Sequence, residues 1–331
     1  MKKTNPPLAA PLDRRRFLKS SALATFSFLL SPYLRSLFAS NATPVRFGLI
    51  SDLHKDIIHD ADLRLQTFLT EMETQSPHAL IQLGDFAIPK VENQAFIDRF
   101  NRGNNQVFHV LGNHDLDEGY TAQQVIQSYG MPARYYARSV QGIRVLVLDG
   151  NEAGSPTAGS GYASYIGKQQ QAWLAGELEA AKEPVLVVSH QPLAGIYTVD
   201  NAAEMQALLS RFASKILLAI NGHAHVDQQL VVGGVRYLHL NSASYYWVGA
   251  QLAHQSLDPS VHAQHPSLAL TCPYAEVLFA MLTIDPQAGT VTITGRESRW
   301  IGPSPAALGY TILSADEQVK YLQPKISNRV L

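Results

Sequence analysis

Five short segments hold the residues that can do chemistry: Ser51-Asp52-Leu53-His54, Gly84-Asp85, Gly112-Asn113-His114-Asp115, Ser189-His190 and Gly222-His223-Ala224-His225. Together they offer Asp52, His54, Asp85, Asn113, His190, His223 and His225 as oxygen and nitrogen donors. That set suits two divalent cations sharing one carboxylate. Two such cations about 4 Å apart hold a phosphoryl group and make a hydroxide to attack it. Each segment alone is weak. Asp-x-His and Gly-Asp are common turns, Asn113 with Asp115 can close an Asx-turn, and His190 before Gln191-Pro192 can be an ordinary loop histidine. The conjunction is what carries weight, and it points to a phosphoric-ester hydrolase.

Elements must exist to bring positions 52 to 225 together. Each segment follows an apolar run: 45–50, 79–83, 106–111, 185–188 and 216–220. These runs are short, aliphatic or β-branched, and nearly continuous, as in strands buried on both faces. Helical spacing lies between them, over Asp62 to Met72 and Gln169 to Leu178. Thr121 with Gln124 reads as a capping box before Val125-Ile126, and Asn201 with Glu204 as a second one before Met205. Alternating strands and helices imply a layered α/β fold. Sites in such folds gather beyond the carboxyl ends of the strands, where all five segments fall.

The five motifs, in this order, resemble the calcineurin-like metallophosphoesterase superfamily, over roughly residues 45 to 300. The resemblance implies an α/β fold: a four-layer α/β sandwich with two central mixed β-sheets flanked by helices. It implies that Asp52, His54 and His225 bind one metal, that Asn113, His190 and His223 bind the other, and that Asp85 bridges them. His114 would sit near the phosphate and leaving group, with Asp115 orienting its ring. The mixed imidazole and carboxylate donors suit manganese, iron, zinc or cobalt better than calcium. Purple acid phosphatases place a tyrosine three residues after the bridging aspartate; here that residue is Ile88, so no iron–tyrosinate colour is expected. The neighbourhood looks closer to the branch with cyclic-nucleotide phosphodiesterases. A small-molecule phosphate ester, mono- or diester, is the expected substrate. A non-catalytic metal- or phosphate-binding protein on the same scaffold is the alternative, disfavoured by the acid–base pair His114-Asp115.

The first 42 residues read differently. Asp13-Arg14-Arg15-Arg16-Phe17-Leu18-Lys19 precedes an apolar stretch over 21–30 and a small-residue exit at Ser40-Asn41-Ala42. That is the pattern of an export signal. It resembles a twin-arginine signal, with Arg14-Arg15 as the pair, and implies the twin-arginine machinery as a partner and a periplasmic or extracellular destination. The apolar run is shorter than the roughly 20 residues a membrane span needs, and Pro32 and Arg35 interrupt its continuation. The segment carries seven Lys and Arg against Asp13, so its removal takes the formal charge from −1 to about −7. An acidic surface with no Lys/Arg cluster argues against nucleic-acid binding. Cys272 is the single cysteine, so no intrachain disulfide forms and the core alone must hold the fold. The expected organisation is a signal over 1–42, one catalytic domain over 43–302, and an extended C-terminal tail over 303–331 packed on it.

The remaining histidines read as structural: His78 and His239 beside strands, His109 inside one. His59 is a weaker candidate for the pocket wall, and His254, His262 and His265 a remote one for a third metal. The Gly- and Ser-rich stretch 150–165, with Tyr162 and Tyr165, reads as a long loop passing over the site. A second long loop runs from Asn241 to Tyr274. Such loops inside compact domains are usually functional. Its opening Tyr245-Tyr246-Trp247 is positioned to form one wall of a pocket if a strand over 235–240 delivers it to the metal face.

Overall fold

The computed structural model describes Ser36 and residues 43–158 and 161–331. The expected export signal lies outside these residues, Ser36 apart. Alternating burial along the strands generates the layers. In β6 (Val185–Ser189), Leu186 and Val188 pack in the core between the sheets, while Val185 and Val187 pack under helices. A strand buried on both faces has no polar side, which is why these runs read as continuous in the sequence.

One sheet has the order β14-β13-β12-β1-β2-β3. Its parallel part is β1 (Val45–Ile50), β2 (Ala79–Gln82) and β3 (Val107–His109). Antiparallel to β1 runs β12 (Ala280–Asp285), followed by β13 (Thr290–Thr294) and β14 (Arg329–Val330). The second sheet has the order β4-β5-β6-β7-β9-β8. Its strands are β4 (Tyr136–Val140), β5 (Ile143–Val147), β6, β7 (Ile216–Asn221), β8 (Gln228–Val232) and β9 (Val235–His239). Strands β5, β6, β7 and β9 are parallel.

Helices cover the outer faces. On the first sheet lie α1 (Ala61–Gln75), α2 (Gln94–Arg102) and α3 (Ala122–Tyr129), through residues such as Leu65, Phe68, Met72 and Phe100. On the second lie α4 (Lys168–Ala180) and α5 (Ala202–Ser210), through Leu174, Leu178, Met205 and Leu209. The fold is therefore the expected α/β arrangement of two mixed six-stranded sheets flanked by helices. Among the described residues no helix is long and apolar enough to cross a membrane.

Some local expectations need correction. The capping box at Thr121 and Gln124 is present on both sides. The one at Asn201 is not: its side chain instead accepts from Ile166 N at 3.2 Å and donates to Ile166 O at 2.8 Å. Glu204 pairs with Lys168 at 2.7 Å. The 241–274 stretch is not an unstructured loop, because β10 (Tyr245–Trp247) pairs antiparallel with β11 (Thr271–Pro273) around the short α6 (Pro259–Gln264). The segment 303–331 packs on the body but is not extended throughout. It forms α7 (Ala315–Tyr321), opened by a Ser314–Glu317 capping box, and then β14 at the sheet edge.

Candidate metal centre

Strands β1, β2, β3, β6 and β7 all deliver their following loops to one end of the sandwich. The first two loops run side by side, since Asp52 N donates to Gly84 O at 3.1 Å and His54 N to Asp85 O at 2.9 Å. The turns are tight enough to force left-handed backbone on residues that avoid it. Asp52, His54, Asp85, His223 and His225 have φ of 51°, 54°, 52°, 65° and 51°. Strain of this kind costs of order 1–3 kcal/mol per residue and collects at functional sites. Gly112 is required by close approach, because a Cβ there would overlap the Asp85 backbone nitrogen and carboxylate.

The seven side chains converge. His225 Nε2 is 3.2 Å from Asp52 Oδ1 and 3.4 Å from His54 Nε2. Nearby, His190 Nε2 is 3.1 Å from Asp85 Oδ2, 3.1 Å from Asn113 Oδ1 and 3.2 Å from His223 Nδ1. Asp85 Oδ2 also lies 3.7 Å from His54 Nε2, between the two groups. Asp52, His54 and His225 form one cluster, and Asp85, His190 and His223 a second, with ligand atoms within 4.8 Å of one another in each.

The outer atoms of the rings are already committed. His190 Nδ1 lies 2.8 Å from Leu83 O, and His225 Nδ1 lies 2.8 Å from Tyr245 O. Each carbonyl accepts the Nδ1 proton, which turns Nε2 toward the cluster. The Tyr245 ring stacks on His54 at 4.9 Å between centroids. Burial opposes charge on Asp85, yet His190, His114 and His54 hold it well below the usual carboxylate range. Burial also opposes charge on Asp52, and His225 and His190 keep it low. Burial depresses His54, and with His190 it brings His223 down to about 3, so both rings are neutral donors. Against burial, Asp85 and Asp52 raise His190 to about 9. Two fully buried carboxylates beside the neutral rings of His54 and His223 fit a pair of cations, since among the described residues no Lys or Arg compensates them there.

His114 does not join either cluster. Its backbone N donates to Asp85 Oδ1 at 2.8 Å, and its ring crosses that of His54 at 5.1 Å. The expectation that Asp115 orients this ring is wrong. Asp115 is fully buried, and its oxygens accept from the backbone nitrogens of Asp85, Phe86, Ala87 and Gly112 and from Tyr129 Oη. With five donors pointing at it, that carboxylate has no geometry left for the ring and serves to weld two loops. Asp117 takes the role, its Oδ2 lying 2.7 Å from His114 Nδ1. Tyr162 Oη donates to Asp117 Oδ1 at 2.7 Å and lies 3.2 Å from His114 Nδ1, so the Gly/Ser-rich loop does reach the site. Burial opposes charge on His114, but Asp85 and Asp117 raise its pKa. Asp117 escaped the sequence reading; an acid three residues beyond His114 on the same loop was the available signal.

The other histidines are structural. His78 Nδ1 accepts from Arg46 N, His109 bonds Gln82 and Asn101, and His239 Nε2 lies 2.9 Å from Ala194 O. His262 Nε2 accepts from Ser256 N and Leu257 N, and His254 Nδ1 lies 3.0 Å from Leu252 O. His59 does not line the cavity over the site. Cys272 is buried, which raises its thiol to about 12, and it is inert.

A family model of calcineurin-like phosphoesterases matches residues 45–227. The chain belongs to that family. It is a hydrolase of phosphoric esters that depends on metal. None of the curated proteins matches it. Solved structures show the fold. A dimetal phosphatase from Danio rerio is 16% identical, with a TM-score of 0.54, over 78% of this chain and 98% of its own. GAP50, the anchor in the inner membrane complex of Plasmodium, is 16% identical, with a TM-score of 0.53, over 76% of this chain and 84% of its own. A purple acid phosphatase from yellow lupin (Lupinus luteus) seeds is 14% identical, with a TM-score of 0.51, over 77% of this chain and 52% of its own.

Proposed function

We propose that the chain is an exported hydrolase of small phosphate esters working at a binuclear centre of manganese, iron or zinc. The observation that carries this reading is the pair of buried clusters joined through Asp85. Asp52, His54 and His225 would hold one ion, Asn113, His190 and His223 the other, with Asp85 between them. When bound, the pair supplies Lewis acidity toward the phosphoryl oxygens and a water of lowered pKa.

The remaining work falls to side chains of this chain. Asp117 accepts the Nδ1 proton of His114, so Nε2 is the atom left to hold a proton for the departing oxygen. The Asp85 contribution to the raised His114 pKa weakens once that carboxylate is neutralised, and the Asp117 contribution persists. Asp115 fixes the loops that carry Asp85 and Asn113. The Arg14-Arg15 pair supports export through the twin-arginine route.

The test is turnover of para-nitrophenyl phosphate and bis-para-nitrophenyl phosphate by the full chain with added manganese, beside measured metal content. Two bound ions with turnover of either ester supports the reading. Two bound ions with no turnover of these or of alkyl esters makes it a binding protein on the same scaffold.

A further inference from the structure

The wall of the cavity over the candidate centre has a character that the metal chemistry does not require. The cavity measures about 770 Å³, within the roughly 300–1,000 Å³ of sites that enclose drug-sized ligands. A bare phosphate needs far less. Beyond the ligands it is lined by Tyr162, Tyr197, Tyr246, Trp247 and Tyr310, with Ile312 also on its wall. These aromatics come from four separate segments, so no single packing requirement explains their convergence. The Trp247 ring lies 6.4 Å from that of His114 and remains 38% exposed although it belongs to a strand. Tyr246 and Tyr310 meet edge to face with hydroxyls 2.6 Å apart, and Tyr197 Oη lies 3.3 Å from Tyr310 Oη. Tyr197 is held at φ 52°, a strained backbone for a large side chain, in the loop that leaves His190.

The charge of the wall is as informative as its shape. Among the described residues, no Lys or Arg lines it. Its acids are already engaged: Lys90 pairs with Asp56 at 2.8 Å and Glu118 at 3.3 Å, and Asp117 holds His114 and Tyr162. Burial keeps Tyr246 and Tyr310 as neutral phenols. A second phosphate or a carboxylate on the substrate would meet carboxylates and ring faces, with no Lys or Arg on the wall to receive it among the described residues. A planar neutral group would meet stacking partners and phenol hydroxyls.

Resting on the phosphoesterase reading, we infer that the preferred substrate carries one phosphoryl group on a large, uncharged, ring-bearing alcohol, whose ring lies against Trp247 and the tyrosine wall. Nucleoside polyphosphates and other polyanionic esters are poor substrates on this geometry.

The experiment compares three esters that leave as alkyl alcohols, so that leaving-group basicity is held nearly constant: 2-phenylethyl phosphate, 2-(4-carboxyphenyl)ethyl phosphate and ethyl phosphate. Each is offered to the manganese-loaded full chain as the monoester and as its methyl diester. The expected kcat/KM for the phenylethyl ester exceeds that of the ethyl ester by about 30-fold and that of the carboxylated ester by about tenfold. Trp247→Ala is expected to bring the first ratio below about 5, and Trp247→Phe to retain most of it. Turnover of all three at similar kcat/KM, or equal losses on all three in Trp247→Ala, overturns the inference alone. No turnover of any of them overturns the phosphoesterase reading and the inference with it.

Discussion

The division of labour between Asp115 and Asp117 is the residue-scale result with the clearest consequence. Asp115 accepts from four backbone nitrogens and a phenol, so removing it leaves several buried donors unpaired. Each costs about 1–3 kcal/mol. Asp115→Ala is therefore expected to lose at least about 3 kcal/mol of stability in denaturant titration. Asp117→Asn should melt close to the parent and keep its metal. Its kcat should fall roughly tenfold to a hundredfold on alkyl esters and much less on para-nitrophenyl phosphate, whose leaving group needs no proton. Equal losses on both esters would remove Asp117 and His114 from leaving-group protonation. A second residue-scale expectation concerns His190. Its pKa is raised to about 9 in the metal-free protein, so below that pH the ring carries a proton that an entering cation must displace. Manganese affinity measured by titration calorimetry should rise by roughly tenfold per pH unit between about pH 7 and 9 and then level off, with about one proton released per binding event at neutral pH. A flat affinity across that range would contradict the His190 assignment.

At the scale of elements, the loops rather than the strands carry the precision. Five candidate ligands sit on left-handed backbone, and Gly112 is the contact point where the third loop meets the second. Gly112→Ala would place a methyl group against the Asp85 backbone and carboxylate, neither of which can yield without moving the carboxylate shared by both clusters. That variant is expected to lose metal before it loses the fold, with circular dichroism near that of the parent and metal content well below it. What was legible in the sequence divides along the same line. Strands such as β6 and β7 announced themselves because burial on both faces leaves an uninterrupted apolar run, and the motifs stand where those runs stop. Asn201 misled because its side chain satisfies the Ile166 backbone across a loop, a tertiary contact that no local spacing records. The pairing of β10 with β11 was hidden for a similar reason: 23 residues separate Trp247 from Thr271, and their register depends on contacts rather than on period. Asp117 was passed over although it stands three residues beyond His114, whereas the meeting of Tyr197 and Tyr310 with Tyr246 and Trp247 was illegible because it joins distant segments.

For the whole molecule, the C-terminal segment completes the body rather than trailing from it. Asn241 Nδ2 donates to Gln323 O and Lys325 O, and Arg329 pairs with buried Asp227 at 2.6 Å. The Asn241 contacts brace the stretch that leads from β9 into the aromatic wall, and the Arg329 pair ties the segment to the turn before β8. With a single buried cysteine, no disulfide reinforces this body, so it depends on its core and, on the proposed reading, on its ions. On the proposed reading the ions are loaded before export, which suits a route that carries folded proteins. If the proposed twin-arginine route holds, replacing Arg14 and Arg15 together with Lys is expected to leave the chain in the cytoplasm, folded and metal-loaded, as read by fractionation and metal analysis. Export at the parental level would point to the general secretory route.

The central claim is that one carboxylate, Asp85, serves two cations at once, and the most direct measurement is metal content beside turnover in Asp85→Asn. The amide keeps the size of the side chain and removes its charge, so both ions would lose a carboxylate that Asp85 offers them, although Asp52 and four imidazoles remain. The expected result is fewer than two ions per chain and a kcat lower by at least about 10²-fold on either para-nitrophenyl ester. Two ions bound per chain with near-parental turnover would contradict the account.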